Sequence, residues 1–82
     1  MTNAVFVLTA TSQGERGQAG HKKVYEIIVE GNWVTLRWGK AEEMTRQTQR
    51  KWFTNSNLAL NFAREKKWAK VDKCYVVAYQ AL

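Results

Sequence analysis

Cations set beside aromatic rings are the residues of this chain best suited to doing chemistry. Arg37-Trp38-Gly39-Lys40 puts a positive charge on each side of an indole and a glycine, and Arg50 and Lys51 follow after one short segment. Lys70 and Lys73 form a third group near the end of the chain. Such a set suits a polyanion. Lys and Arg neutralise phosphates and release condensed counterions, a large source of affinity in nucleic-acid interfaces. An indole face stacks on a base or sugar, and a glycine lets a ligand come close to the backbone.

A catalytic reading finds nothing comparable. His21 is the only histidine, and Cys74, the only cysteine, has no histidine near it in sequence. Glu42 and Glu43 are adjacent in a charged turn, where their side chains are expected to diverge instead of forming an acid-base pair. Cys and His do not recur at zinc-ligand spacing. Gly14, Gly17 and Gly20 recur at intervals of three, without the Gly-Lys-Ser/Thr ending of a phosphate loop or the spacing of a dinucleotide fingerprint. The residues therefore predict a non-enzymatic protein with no catalytic residue, cofactor, metal or small-molecule substrate.

Charge distribution supports the polyanion. The chain of 82 residues carries 13 Lys and Arg against 7 Asp and Glu, a formal net charge of +6. Up to residue 30, Arg16, Lys22 and Lys23 balance Glu15, Glu26 and Glu30, so all of the excess lies in residues 31–82. A field of one sign steers polyanions, although cations also serve simply to keep a small protein in solution. The length and a hydrophobic content of 45% predict one domain over residues 1–82 with its own core. A single cysteine fits a reducing compartment. The apolar N-terminal stretch has no basic lead-in, and no apolar run approaches a membrane span. A soluble, cytoplasmic protein without membrane contact is expected.

The elements that must position these residues follow from periodicity. Residues 4–11 read as a strand, with Phe6 and Leu8 opposite Val5 and Val7, and polar residues 12–20 as a loop. Residues 22–30 alternate Tyr25, Ile27 and Val29 against Glu26 and Glu30, then Gly31-Asn32 turns the chain. Residues 33–40 run back with Val34, Leu36 and Trp38 on one side and Trp33, Thr35 and Arg37 on the other. A charged turn over 41–46 leads to a fourth strand at 47–53. Residues 54–57 offer several N-caps for one helix reaching about Val71, with Leu58, Phe62 and Ala69 expected on the core side. Leu60, Arg64, Lys67, Trp68 and Val71 are expected to turn away, with Arg64, Lys66 and Lys67 solvated. Residues 74–80 form the last strand, Tyr75, Val77 and Tyr79 together on one side. The expected fold is α+β, β-β-β-β-α-β, a mainly antiparallel sheet of about five strands with one helix against a face.

In this order and spacing the chain resembles the WGR domain family, whose name is a Trp-Gly-Arg triplet. The likeness runs from Lys23-Val24-Tyr25-Glu26-Ile27 through Val34-Thr35-Leu36-Arg37-Trp38-Gly39, then Gln47, Phe53, Ala59 and Phe62, to Lys70-Val71-Asp72-Lys73-Cys74-Tyr75. Lys40 replaces the arginine of the name, keeping the charge but losing the planar fork. The following turn is longer and lacks the usual glycines, and Cys74 stands where glycine is common. The family occurs in poly(ADP-ribose) polymerases, where it contacts DNA near strand breaks and relays that binding to a separate catalytic domain, and in bacterial proteins. The resemblance implies a standalone binding module for DNA, including strand ends or breaks; the residues themselves leave DNA against RNA open.

Arg37, Trp38, Gly39, Lys40, Arg50, Lys51, Lys70 and Lys73 are the expected nucleic-acid-binding residues. Trp38 has two readings. Alternation places it with Val34 and Leu36, as a core residue, while the resemblance places it toward DNA. No helix carries Asn, Gln or Arg spaced to read bases in a groove, so sequence-specific recognition is not expected. The competing class is a protein-interaction module anchored by Trp33, Trp52 or Trp68.

Overall fold

A computed structural model describes residues 3–11, 22–42 and 46–81; the expected loop over 12–20 and the middle of the turn over 41–46 lie outside them. The elements are β1 (Asn3–Thr11), β2 (Lys22–Glu30), β3 (Trp33–Lys40), β4 (Gln47–Trp52), α1 (Ser56–Val71) and β5 (Val76–Ala81). The strands form a five-stranded sheet in the order β4-β3-β2-β1-β5. Each neighbouring pair is antiparallel. The fold is α+β with the expected order of elements. Among the described residues no helix is long and apolar enough to cross a membrane.

Alternation does the work that periodicity predicts. Phe6 pairs with Ile27 and Ile27 with Leu36, while Val29 pairs with Val34, so successive strands add to one buried layer. Phe6, Leu8, Ile27, Val29, Val34 and Leu36 are almost wholly removed from solvent. At ~25 cal/mol per Å² of apolar area, such a layer supplies the main driving force for folding. The β2–β3 connection is tight because Gly31 takes a φ of 61° as the first of two turn residues, which places it in the region that suits glycine.

The helix lies on that buried layer, begun by Asn55, whose side-chain oxygen accepts a hydrogen bond of 2.9 Å from the Leu58 amide. A cap of this kind stabilises a helix by ~1 kcal/mol. The core-facing stripe differs from the expected one. Ala59 and Ala63 are the helix residues that are fully buried, and Leu60, Phe62 and Val71 pack beside them. Leu58 is 46% exposed, and Ala69 is also exposed. Lys67 does not turn away either: its ammonium lies 5.4 Å from the centre of the Phe6 ring and donates to Gln80 Oε1 at 2.9 Å. Lys66 is half-buried over Phe62. Large apolar side chains dominate a helical wheel, but contact with a sheet goes to the small residues that let the helix approach closely.

The last strand departs from plain alternation. Leu8 pairs with Val77 and Val7 with Tyr79, so the register slips and Ala78 is left over. A bulge of this kind sends the following side chains to the opposite face. Val77 therefore shares the helix side with Leu8, whereas Tyr79 stands on the other side, 57% exposed.

Residues 74 and 75 precede the strand instead of joining it, because they close the helix. Tyr75 N–H donates to the Lys70 carbonyl and Cys74 N–H to the Val71 carbonyl, each at 3.0 Å, around Cys74 with a φ of 70°. This is a Schellman closure, whose left-handed residue is usually glycine. A side chain in that conformation costs roughly 1–2 kcal/mol. Replacing Cys74→Gly is expected to stabilise the fold by about 1 kcal/mol, somewhat less than that cost because glycine loses more chain entropy on folding. Thermal melting should shift upward by roughly 4–8 °C for a domain of this size; an unchanged or lower Tm would show that the cysteine is under no strain.

Candidate nucleic-acid interface

Aromatic rings extend the buried layer past the end of the helix. Tyr25 and Trp38 are paired across β2 and β3, and their rings stack at 5.9 Å with 19° between planes. Tyr75, delivered by the helix closure, meets Tyr25 edge-on at 6.3 Å and 74°. Offset and edge-to-face pairs each add ~0.5–1.5 kcal/mol to the burial they bring. Tyr25 is buried beneath, while Trp38 and Tyr75 are only half-buried.

Lys23, Trp38, Gly39, Lys40 and Tyr75 line an open cleft of about 280 Å³. Lys23 and Lys40 are opposite each other in the β2–β3 register and both are exposed. Gly39 has a φ of 156°, outside the range comfortable for other residues, and its missing side chain leaves the strand backbone open to the cleft. Behind the rings, Lys70 holds its ammonium 4.5 Å from the centre of Tyr25 and 5.7 Å from that of Tyr75. Burial, and then the charges of Lys73 and Lys66, lower the pKa of Lys70 below the usual 10.5. Burial, with Tyr75 close by, raises the Tyr25 phenol, so it stays neutral. The cleft thus offers half-buried rings and cations on one side of the sheet. It can stack a flat ring and neutralise phosphate.

The expected site residues divide between two faces. Trp38, Gly39 and Lys40 line the cleft, Lys70 is behind it and Lys73 follows at the helix end. Lys51 shares the helix side but lies away from the cleft, 4.9 Å from the Phe62 ring. Arg37 and Arg50 project from the opposite, uncovered side, where the Arg50 guanidinium sits 4.4 Å over Trp33. Lys23 and Tyr75, which line the cleft, and Tyr25, buried beneath it, are missing from the expected set. Alternation put Tyr25 on the same side as the core, and the register that sets Lys23 opposite Lys40 was the missing link. Trp38 is neither a fully buried core residue nor a free surface one: its ring stacks on Tyr25, and the residue is half-buried and lines the cleft.

No protein-family model, curated protein or solved structure matches this chain. A half-buried ring should cost less on removal than the ~3–5 kcal/mol of a fully buried aromatic. Trp38→Ala is therefore expected to destabilise the fold by roughly 1–3 kcal/mol, measured by urea unfolding, and Tyr25→Ala by more than Trp38→Ala. The reverse order would mean that the indole, not the phenol, is the base of the stack.

Proposed function

We propose that this chain is a WGR-like nucleic-acid-binding module, acting without catalysis and without sequence-specific base readout, and that DNA, including strand ends or breaks, is its ligand. The observation that carries the reading is the cleft: Trp38 stacked on Tyr25 with Lys23, Lys40 and Lys70 around it. Two details of the family resemblance agree with it. The Trp-Gly-Lys triplet stands at the mouth of this cleft, and Cys74, where the family often has glycine, has the backbone conformation that glycine favours. A cytoplasmic location fits such a role.

Phosphates would meet Lys40, Lys23 and Lys70, with Lys73 and Lys66 adding to the field, and the Trp38 edge would meet a base or sugar. Each phosphate contact contributes ~0.9 to the salt slope of log affinity on a duplex. Binding to a duplex should weaken steeply with salt, with a slope worth a few contacts. Lys40→Ala and Lys70→Ala should each shrink it by about one contact and weaken all sequences alike. No salt-sensitive binding at low ionic strength, to DNA or RNA, would end the reading. If ends are preferred, a nicked or 5′-phosphorylated duplex should compete better than a closed circle of the same sequence.

The lowered pKa of Lys70 adds a pH test. Its charge is present at neutral pH and is lost as pH rises through a value below 10.5. Affinity measured by fluorescence anisotropy should therefore fall at alkaline pH sooner in the parent than in Lys70→Arg, whose guanidinium stays charged. Identical pH profiles would remove Lys70 from the interface.

A further inference from the structure

Lys23 and Lys40 face each other across β2 and β3 at the mouth of the cleft. Like charges directly opposite in a sheet are destabilising, so the two strands hold together least well where the cleft needs them together. The segment after Lys40 gives little help of its own, because residues 41–46 carry no glycine or proline to shape a tight turn. Its two ends are tied to β2 instead. At one end the Ala41 amide donates to the Lys22 carbonyl at 2.8 Å. At the other, Arg46 Nη1 donates to Glu26 Oε1.

Arg46 immediately precedes β4 and Glu26 belongs to β2, so the ion pair passes over β3, the strand between them. Gln47 is level with Trp38, and Glu26 with Arg37. Arg46 therefore starts beside Gly39, which has no side chain to obstruct the crossing. The two side chains are only 21% and 18% exposed, which spares the pair much of the screening that makes surface ion pairs weak. Glu26 alternates with the buried Tyr25 and Ile27, so the pair lies on the face away from the helix and the cleft. We propose that Arg46 and Glu26 are positioning residues, a strap over the back of β3 that keeps Lys40 opposite Lys23 and sets the cleft mouth for an anion. The strap acts through Lys40 and touches no ligand itself. Its effect on nucleic acid rests on the function proposed above; the strap does not. One consequence has an unusual sign. Were charge alone at issue, losing the Glu26 carboxylate would strengthen the binding of a polyanion. As half of the strap, its loss weakens that binding.

The test compares the parent with Arg46→Ala, Glu26→Ala, the double variant and Arg46→Lys, which keeps a cation at this position. Hydrogen exchange at the Ala41 amide, followed by NMR, reads the strap without any ligand. It should quicken by roughly three- to fivefold in either Ala variant, no further in the double, and return toward the parent rate in Arg46→Lys. Amides of Ile27 and Leu36, in the buried layer, should exchange as in the parent, which separates a local release from a general loss of stability. Fluorescence anisotropy with a labelled duplex at low salt then reads the cleft. Glu26→Ala should weaken binding by roughly three- to fivefold despite the lost negative charge. Lys40→Ala should cost less in the Glu26→Ala background than in the parent, whereas Lys70→Ala should cost the same in both. Tighter binding by Glu26→Ala overturns the inference, as does an equal cost of Lys40→Ala in the two backgrounds. So does an Ala41 exchange rate indifferent to both substitutions. If the Ala41 amide responds as expected but neither the parent nor any variant binds nucleic acid, the functional proposal fails and the strap stands.

Discussion

Among the described residues a single helix of 16 residues has to serve a five-stranded sheet, and most of the molecule's character follows from that shortage. At ~1.5 Å per residue such a helix spans roughly 24 Å. Ala59 and Ala63 bring it down onto Phe6, Ile27 and Leu36, where it completes a close-packed layer. Beyond its last turn the same layer continues without a cover. Tyr25, Trp38 and Tyr75 fill that space with rings packed on one another, and an edge of the cluster stays open as the cleft. The candidate site is thus the unfinished end of the core, where large rings can be half-buried and still touch a ligand.

The way the helix ends matters as much as where it ends. Three amide hydrogen bonds, from Lys73, Cys74 and Tyr75 back to Lys70 and Val71, turn the chain within a few residues. That reversal returns Tyr75 to Tyr25 and leaves Lys70 over both rings. Lys70 pays in solvation for its position, and its neighbours Lys73 and Lys66 add repulsion, so the bound ammonium is less favoured here than in water. Under the proposed function, an arriving phosphate would relieve both effects.

The two sides of the sheet carry different chemistry because their neighbours differ. On the helix side, lysine ammoniums lie over the rings of Phe62, Phe6 and Tyr25, so the cations cover apolar surface while keeping the field positive. On the uncovered side, Arg46 pairs with Glu26 and Arg50 stacks on Trp33. The planar guanidinium is more weakly hydrated than an ammonium and so tolerates contact surfaces better. The excess of positive charge is thus divided by which face of a strand each residue occupies.

Strand identity, order of elements and the helix were legible in the sequence because they depend on local periodicity. Tyr25, Ile27 and Val29 alternate with Glu26 and Glu30 whatever lies beside them, and Asn55 can cap a helix before any tertiary contact forms. The triplet Trp38-Gly39-Lys40 was legible too, as residues whose types suit a polyanion. What lay beyond reach depended on non-local geometry. Register alone set Lys23 against Lys40 and Tyr25 against Trp38, and the helix closure alone returned Tyr75 to them. The bulge at Ala78 reversed Tyr79 although the sequence kept its alternation. The wheel misjudged Leu58 and Lys67 because the face a helix buries is chosen by how closely it can approach the sheet. Arg37 and Arg50 were separated from Lys40 by the pleat itself, since a period of two assigns neighbouring residues to opposite faces and only the packed helix decides which face becomes the inside.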